Sequence, residues 1–111
     1  MTLDEFRELC LNLAGATESY PFGPETPVFK AANGKVFAIT TTPGESSPSA
    51  TMKIDPEDSE ALRAQYPQIT PGYHMNKRHW VTVALDAGLP DDLVAEIAAE
   101  SHRLVRPRLS R

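Results

Sequence analysis

The sequence predicts an α+β fold in which helices pack on one face of a mainly antiparallel sheet of four or more strands. Apolar residues recur at helical spacing in two segments, 3–13 and from about residue 90 onward, and a helix-start signal at residues 55–56 predicts a further helix between them. Four shorter segments have the alternation or the β-rich composition of strands. Because the connections between strands are too short for most parallel crossovers, an antiparallel sheet is favoured. Such a sheet leaves its second face available to solvent or to a partner.

The bulk composition is that of one ordinary folded domain spanning residues 1–111. The chain is 41% hydrophobic and 23% charged, which are near the averages for soluble proteins. No apolar run approaches the roughly 20 residues that a bilayer-spanning helix requires, and the first residues are acidic where a signal peptide would be basic. We therefore expect a cytoplasmic protein with no membrane partner, and a monomer rather than an oligomer.

The first helix is expected over residues 3–13. Thr2 and Glu5 have the spacing of a capping box, and Gly15 ends the run. The apolar stripe of this helix consists of Leu3, Phe6, Cys10 and Leu13. Cys10 is the only cysteine, so it cannot form an internal disulfide, and nothing near it in sequence would lower its thiol pKa. We interpret it as a packing residue.

A β-hairpin is predicted after a proline-rich loop at residues 16–27. Its strands are expected at 28–32 and 35–42. Between them stands Asn33–Gly34, the strongest short-range signal for a two-residue turn.

The faces of this hairpin follow from the register that such a turn imposes. A two-residue turn pairs Lys30 with Phe37 on one face and Phe29 with Ala38 on the other. We expect Lys30 to point away from the core. The residues expected to face the core are Phe29, Ala31, Val36 and Ala38.

A third strand is predicted at residues 49–54, where polar and apolar residues alternate. The core-facing members are Ala50, Met52 and Ile54. Lys53 then lies on the opposite face. Asp55 before Pro56 is a helix start, since the carboxylate accepts backbone N–H bonds and proline suits the first helical position. This second helix is expected to run to about Tyr66.

A fourth strand and a final helix complete the predicted order. The core-facing strand residues are Val81, Val83 and Leu85, so Trp80 and Thr82 point the other way, toward the face that carries Lys53. The strand is expected to end near Asp86. The helix is expected to begin near Pro90 and to end at Pro107. Its apolar stripe consists of Leu93, Val94, Ile97, Ala98, Leu104 and Val105.

The segment from Pro71 to Trp80, PGYHMNKRHW, concentrates side chains with binding chemistry. Arginine and lysine grip phosphates, asparagine bonds to base edges, and tyrosine or tryptophan offers a stacking plane. A structural interpretation is also open, in which the tryptophan fills a crevice and the histidines cap backbone groups. His74 and His79 have no Cys or carboxylate within the segment to complete a zinc shell. We expect no metal and no cofactor.

The charge distribution is uneven along the chain. The formal net charge of −4 argues against uniform coating of nucleic acid, but a local basic patch is compatible with it. The basic residues concentrate in Lys77–Arg78 and in a tail that contains Arg103, Arg106, Arg108 and Arg111.

The run TPGYHMNKRHW at 70–80, followed by VTVALDAGLPDDL at 81–93, resembles the MmcQ/YjbR family. The similarity extends through PFGPETPVFK at 21–30 and RAQYP at 63–67. This resemblance implies a frataxin/CyaY-like (double-wing) architecture and DNA binding. It also implies that the family-pattern residues are Lys30, Lys53, Tyr73, His74, Asn76, Lys77, His79 and Trp80.

Several functions follow as hypotheses. The first is DNA binding by the open sheet face and the segment before the fourth strand, with Arg78 added to the family-pattern residues. About four phosphate contacts would give a log–log salt slope near −3.6 on duplex DNA. Small-molecule binding is the alternative, in a ligand or enzymatic pocket built on His74, Asn76, His79 and Trp80 against the loop at 20–22. A protein–protein adaptor is a further alternative. Iron binding by Asp4 and Glu8 is disfavoured, because a solvated helix face explains these acids equally well. A non-enzymatic role is favoured over catalysis.

Overall fold

A computed structural model of the protein describes residues 1–21, 23–24, 26–41, 47–72, 76 and 78–106. Within these residues, three helices accompany a six-stranded antiparallel sheet with the strand order β1-β2-β3-β4-β6-β5. The elements are α1 (Leu3–Leu11), β1 (Thr17–Ser19), β2 (Val28–Lys30), β3 (Val36–Thr40), β4 (Ser49–Lys53), α2 (Pro56–Gln65), β5 (Ile69–Pro71), β6 (Trp80–Ala84) and α3 (Asp91–Val105). The α+β prediction is confirmed. No helix in the described part of the chain is long and apolar enough to cross a membrane.

The starts of α1 and α2 are those expected from the sequence. Thr2 Oγ1 accepts a hydrogen bond from the backbone N–H of Glu5 at 3.0 Å, and Glu5 Oε1 accepts one from the N–H of Thr2 at 2.8 Å. Asp55 caps α2 by accepting from the N–H of Glu57 at 3.1 Å. Each bond satisfies a backbone donor that the first helical turn leaves without an intrahelical partner, so local sequence fixes both boundaries.

The β2–β3 hairpin is confirmed, but its turn contains three residues (32–34) rather than the predicted two. The N–H of Ala31 donates to the carbonyl of Lys35, and the N–H of Gly34 donates to the carbonyl of Ala31, both at 2.9 Å. The register of the hairpin is therefore only partly as expected. Gly34 has a φ of +81°, which glycine adopts at little cost. Phe29 pairs with Ala38 as expected, whereas Lys30 pairs with Val36 rather than with Phe37. A bulge therefore inserts one extra residue into β3.

The bulge changes which side chains of β3 face the core. Phe37 is fully buried in the core, and its ring meets that of His102 edge-on at 5.3 Å. Val36 instead lies half-buried beside Lys30. The expectation of an inward Val36 is wrong, because the extra residue shifts the two-residue alternation by one position.

Two short edge strands were not expected. β1 lies within the segment interpreted as a loop and pairs with β2, while β5 follows Pro67, ends at Pro71 and pairs with β6. An edge strand tolerates proline because its outer N–H groups have no ladder partner. Three residues are too few to show a clear period in the sequence.

The hydrophobic core lies on the side of the sheet that carries the helices. Phe6 of α1 meets Phe29 of β2 edge-on at a centroid distance of 6.1 Å. The core residues of β4 and β6 are those that alternation predicted: Ala50, Met52, Val81 and Val83 are all fully buried. Leu62 of α2 packs against this same cluster, so all three helices contribute to one core.

The prediction of the apolar stripe of α3 is only partly right. Val94, Ile97, Ala98 and Val105 are buried as expected. Leu104 is 37% exposed, and its expected place is taken by Ser101 and His102, whose polar atoms find backbone partners. Ser101 Oγ lies within hydrogen-bonding distance of the carbonyls of Ile97 and Lys53, and His102 Nε2 donates to the carbonyl of Ala14 at 2.8 Å. The expected end at Pro107 lies outside the described residues, and Arg106 caps the helix.

Candidate functional site on the helix-free face

The second face of the sheet, opposite the helices, is called here the helix-free face. Cross-strand pairing and alternation define its side chains. They are Thr17, Ser19, Val28, Lys30, Val36, Ile39, Ser49, Thr51, Lys53, Thr70, Trp80, Thr82 and Ala84. Hydroxyl and apolar side chains predominate, with Thr51 Oγ1 and Thr82 Oγ1 sharing a hydrogen bond of 2.9 Å. Lys30 and Lys53 are the only charged residues among them.

Lys53 and Trp80 meet on this face, as strand alternation predicted. The two residues are direct partners in the β4–β6 ladder. The ammonium Nζ of Lys53 lies over the indole at 5.3 Å from the ring centroid. This distance is within the range of a cation–π interaction, which favours one position of an otherwise flexible lysine chain.

Trp80 is nevertheless buried, with only 8% of its surface exposed. Gly72 packs directly against it: a Cβ added at Gly72 would lie 2.6 Å from the Cβ of Trp80. The N–H of Gly72 donates to the carbonyl of Trp80 at 2.9 Å. Both Trp80 and Val28 are buried without belonging to the helix-side core. The indole is therefore not an open plane for stacking a base.

Asn76 stabilises the turn before β6 by accepting hydrogen bonds from the backbone. Its side-chain Oδ1 accepts a hydrogen bond from the N–H of Arg78 at 2.9 Å, and its carbonyl accepts one from the N–H of His79 at 3.1 Å. The carbonyl of His79 in turn accepts from the N–H of Ile54 at 2.9 Å. These bonds attach the turn to the end of β4. Tyr73, His74 and Lys77, the other residues predicted here, lie outside the described residues.

The structure separates Arg78 and Lys30 from the lysine–tryptophan pair. Arg78 lines a cleft of about 340 Å³ beside α2, together with Arg63, Glu57 and Glu60. Lys30 lies on β2, two strands from Lys53, and two strand spacings correspond to about 10 Å. The sequence cluster is thus distributed between the helix-free face and the α2 cleft.

The carboxylates of the described residues lie away from the helix-free face. Most are on the three helices, Asp55 is a helix cap, and Asp86 is in the turn after β6. Glu18 is the one described acid on a strand, and Arg7 Nε of α1 bonds to both of its oxygens at 3.0 and 2.8 Å. Glu18 therefore faces the helices. A chain of net charge −4 has a sheet face whose described formal charges are both positive.

Two described residues of the alternative pocket, Tyr20 and Trp80, lie apart in the structure. Tyr20 lines a groove with Leu3 and Asp4 of α1, next to the edge strand β1. β1 and β6 are four strand spacings apart in the sheet, which is roughly 19 Å, so Tyr20 does not reach Trp80. Phe22 lies outside the described residues.

Cys10 and His102 both have structural roles. Burial raises the pKa of the Cys10 thiol, as its packing role requires. His102, which the sequence did not single out, is buried and bonded to the backbone. Over the described ranges, no group of three or more His, Cys, Asp or Glu side chains is placed to hold a metal ion.

Comparison with known proteins gives one consistent match. A family model described as YjbR matches residues 11–104, a range that includes the whole segment from Gly72 to Trp80. The Escherichia coli O157:H7 protein YbdF is 36% identical over 99 residues, covering 89% of this chain and 80% of that protein. YjbR of Escherichia coli strain K12 is 32% identical over 103 residues, covering 93% and 86%. Both relatives carry the name of an uncharacterized protein.

Solved structures share the fold. A crystal structure of the Deinococcus radiodurans protein DR2400, with a DUF419 domain, superposes with a TM-score of 0.82 at 40% identity, covering 93% of this chain and 77% of that one. A Pseudomonas syringae protein superposes with a TM-score of 0.83 at 28% identity, covering 96% and 100%. The six-stranded sheet with helices on one face is therefore the architecture of these relatives as well.

Proposed function

We propose that this protein, which belongs to the YjbR family, binds nucleic acid through the helix-free face of its sheet. Membership confirms the family resemblance in the sequence, and it leaves the ligand open. The observation that carries the proposal is the separation of charge across the sheet. Lys30 and Lys53 occupy one face, and the carboxylates of the described residues lie elsewhere.

Local charge, rather than net charge, decides whether such a face attracts phosphates. The Debye length is about 8 Å at physiological ionic strength, so exposed charges farther away are largely screened. A helix layer and a sheet layer lie roughly 10 Å apart, as packed layers do. The acids on the helices therefore oppose an approaching phosphate less than the lysines on the near face attract it.

The burial of the Trp80 indole favours phosphate contacts over base stacking. Because Trp80 is 8% exposed, we assign it to positioning Lys53 and not to base stacking. Asn76 holds its turn, so its amide is not assigned to a base edge. The two lysines and the neighbouring hydroxyls would contact the phosphate backbone. Such contacts carry no sequence information directly. We expect weak sequence preference.

The first test is a titration of fluorescently labelled duplex and single-stranded oligonucleotides at several salt concentrations, read by anisotropy. Two phosphate contacts give a log–log slope of about −1.8 on duplex DNA and about −1.4 on a single strand. A slope near −3.6 would mean that about four contacts form, as the sequence-based hypothesis assumes. Absence of saturable binding at low salt to either form would refute the proposal.

The second test locates the site with matched variants. Lys53→Ala removes one contact and should weaken binding about tenfold at about 50 mM salt. Lys35→Ala is the control, because Lys35 is exposed in the hairpin turn and lies off the helix-free face. Trp80 is the only tryptophan, so its fluorescence reports events at this face directly. Equal losses for the two variants would contradict a site at Lys53.

A further inference from the structure

A second concave site lies on the other side of the sheet, between α1 and the edge strand β1. It is a groove of about 460 Å³, within the range of small-molecule sites. Leu3 and Asp4 of α1 form one wall, and Tyr20 follows β1 on the other. The fully buried Phe29 lies at its base. An apolar base with a few polar groups is the usual composition of a ligand pocket.

The charges in the groove leave a net negative balance. Arg7 and Glu18 both line it, and they neutralise each other through the two hydrogen bonds from Arg7 Nε. Hydrogen bonding to Glu18 raises the pKa of the Arg7 guanidinium, so this partner stays charged. Asp4 also lines the groove, and no ion pair among the described residues neutralises it.

The positive end of the α1 dipole does not reverse this balance. It corresponds to about half a charge at the N-terminus. Glu5, in the same first turn, has a pKa lowered by its hydrogen bonds to Thr2, and its carboxylate accepts the N–H of Thr2 at 2.8 Å. One full negative charge thus offsets the dipole, and the charge of Asp4 remains.

Tyr20 supplies an aromatic surface at the same place. Tyr20 is 46% exposed, and Leu104 is the one other exposed large hydrophobic residue in the described ranges. Aromatic faces attract cations, and the attraction is about 0.5 to 1 kcal/mol at exposed sites. The carboxylate, the exposed ring and the apolar floor of the groove together suit a ligand that has an ammonium group attached to an apolar body.

We propose that the groove between α1 and β1 binds a small organic cation, with its ammonium near Asp4 and Tyr20 and its apolar part over Phe29. An anion of the same shape is disfavoured, because it would approach Asp4 while Arg7 is already engaged by Glu18. This site is separate from the proposed nucleic-acid face in position and in charge. Failure of one proposal would therefore leave the other standing.

The test is an NMR titration of the isotope-labelled full chain with three probes that share one apolar body. These are phenethylamine (a cation), phenylacetate (an anion) and 2-phenylethanol (neutral). For a ligand of this size we expect a dissociation constant on the order of 10 mM for phenethylamine. Amide shifts should be saturable and centred on the first turn of α1, on Tyr20 and on Thr41, another lining residue.

Variants identify the groups responsible. Asp4→Asn should weaken phenethylamine binding by about fivefold at low salt, as expected for an exposed ion pair. Tyr20→Leu keeps an apolar side chain and should weaken it by about threefold. Glu8→Gln is the matched control, because Glu8 is exposed on the same helix without lining the groove. Dispersed amide spectra establish that each variant is folded.

Three outcomes would overturn the proposal: phenylacetate binding as tightly as phenethylamine, shifts that map away from the groove, or equal affinity in Asp4→Asn and the parent. Failure to detect saturable shifts with phenethylamine would overturn it as well. A loss in Asp4→Asn with no change in Glu8→Gln would support it.

Discussion

The two faces of the sheet differ in both packing and charge. The helix side contains a continuous apolar core, and most of the described carboxylates lie on the helices that cover it. The helix-free face carries lysines and hydroxyls, with Trp80 and Val28 buried outside that core. An acidic chain can therefore present a basic surface, because the pleat sends successive side chains of each strand to opposite faces.

The comparison also shows that an open sheet face is not uniformly exposed. Trp80 is covered although no helix of the described structure packs on its side. The direct contact of Gly72 with its Cβ explains part of that burial. The face therefore combines a buried aromatic residue with half-buried polar ones, and the two kinds should respond differently to substitution.

The largest expected effect compares one aromatic residue from each face. Phe29→Ala on the helix side should lower the free energy of unfolding by about 4 kcal/mol, and Trp80→Ala by about 3 kcal/mol. Both side chains are buried, so each substitution leaves a cavity and loses apolar burial. Urea denaturation followed by circular dichroism measures both, since Trp80→Ala removes the fluorescent probe. A Trp80→Ala protein within about 0.5 kcal/mol of the parent would show that the ring belongs to the surface.

The second effect is a pH dependence of stability that the buried thiol on the helix side should cause. Burial raises the pKa of the Cys10 thiol in the folded protein. Below about pH 8.5 both states keep the proton, and above it the unfolded state alone ionises, so stability falls as pH rises. Between pH 8.5 and 10 the loss should reach about 2 kcal/mol.

Cys10→Ala is the control for this pH dependence, because lysines and tyrosines also titrate near pH 10. The difference between parent and variant isolates the thiol. Parallel pH profiles for the two proteins would contradict a buried, neutral Cys10.

Local sequence signals predicted much of the fold. Helix starts were predictable because capping is decided within a few residues, as at Thr2 and Asp55. The faces of β4 and β6 were predictable because both strands alternate without interruption. The length of the turn and the bulge at Phe37 were not predictable, because the Asn33–Gly34 signal shows where the chain turns but not whether an extra residue enters the turn or the strand beyond it.

The sequence predicted which face of the sheet carries the candidate site, but not how exposed its side chains are. Alternation placed Trp80 beside Lys53, yet nothing in the sequence showed what would cover the indole. The separation of charge had a sequence signal: among the strand residues that alternate outward, the charged ones are lysines. The position of Arg78 in the α2 cleft was not predictable, because composition does not reveal the geometry of the turn.

The smallest expected effect concerns Asn76, which lies in the turn before β6 and on neither face of the sheet. Asn76→Ala removes the acceptor for the N–H of Arg78 and should cost about 1 kcal/mol in the free energy of unfolding. Asn76→Asp keeps that acceptor and should retain most of the stability. Urea denaturation of the three proteins gives the comparison.

The same variants distinguish turn formation from base reading. If Asn76 only shapes the turn, Asn76→Asp should bind different oligonucleotide sequences with unchanged relative affinities, since the phosphate contacts proposed for Lys53 would carry no sequence information. If the amide reads a base, Asn76→Ala leaves stability unchanged and alters those relative affinities by about 1 to 3 kcal/mol per base pair. The bond from the N–H of Arg78 to Oδ1 favours the first result, because an acceptor already used within the turn is not free for a base.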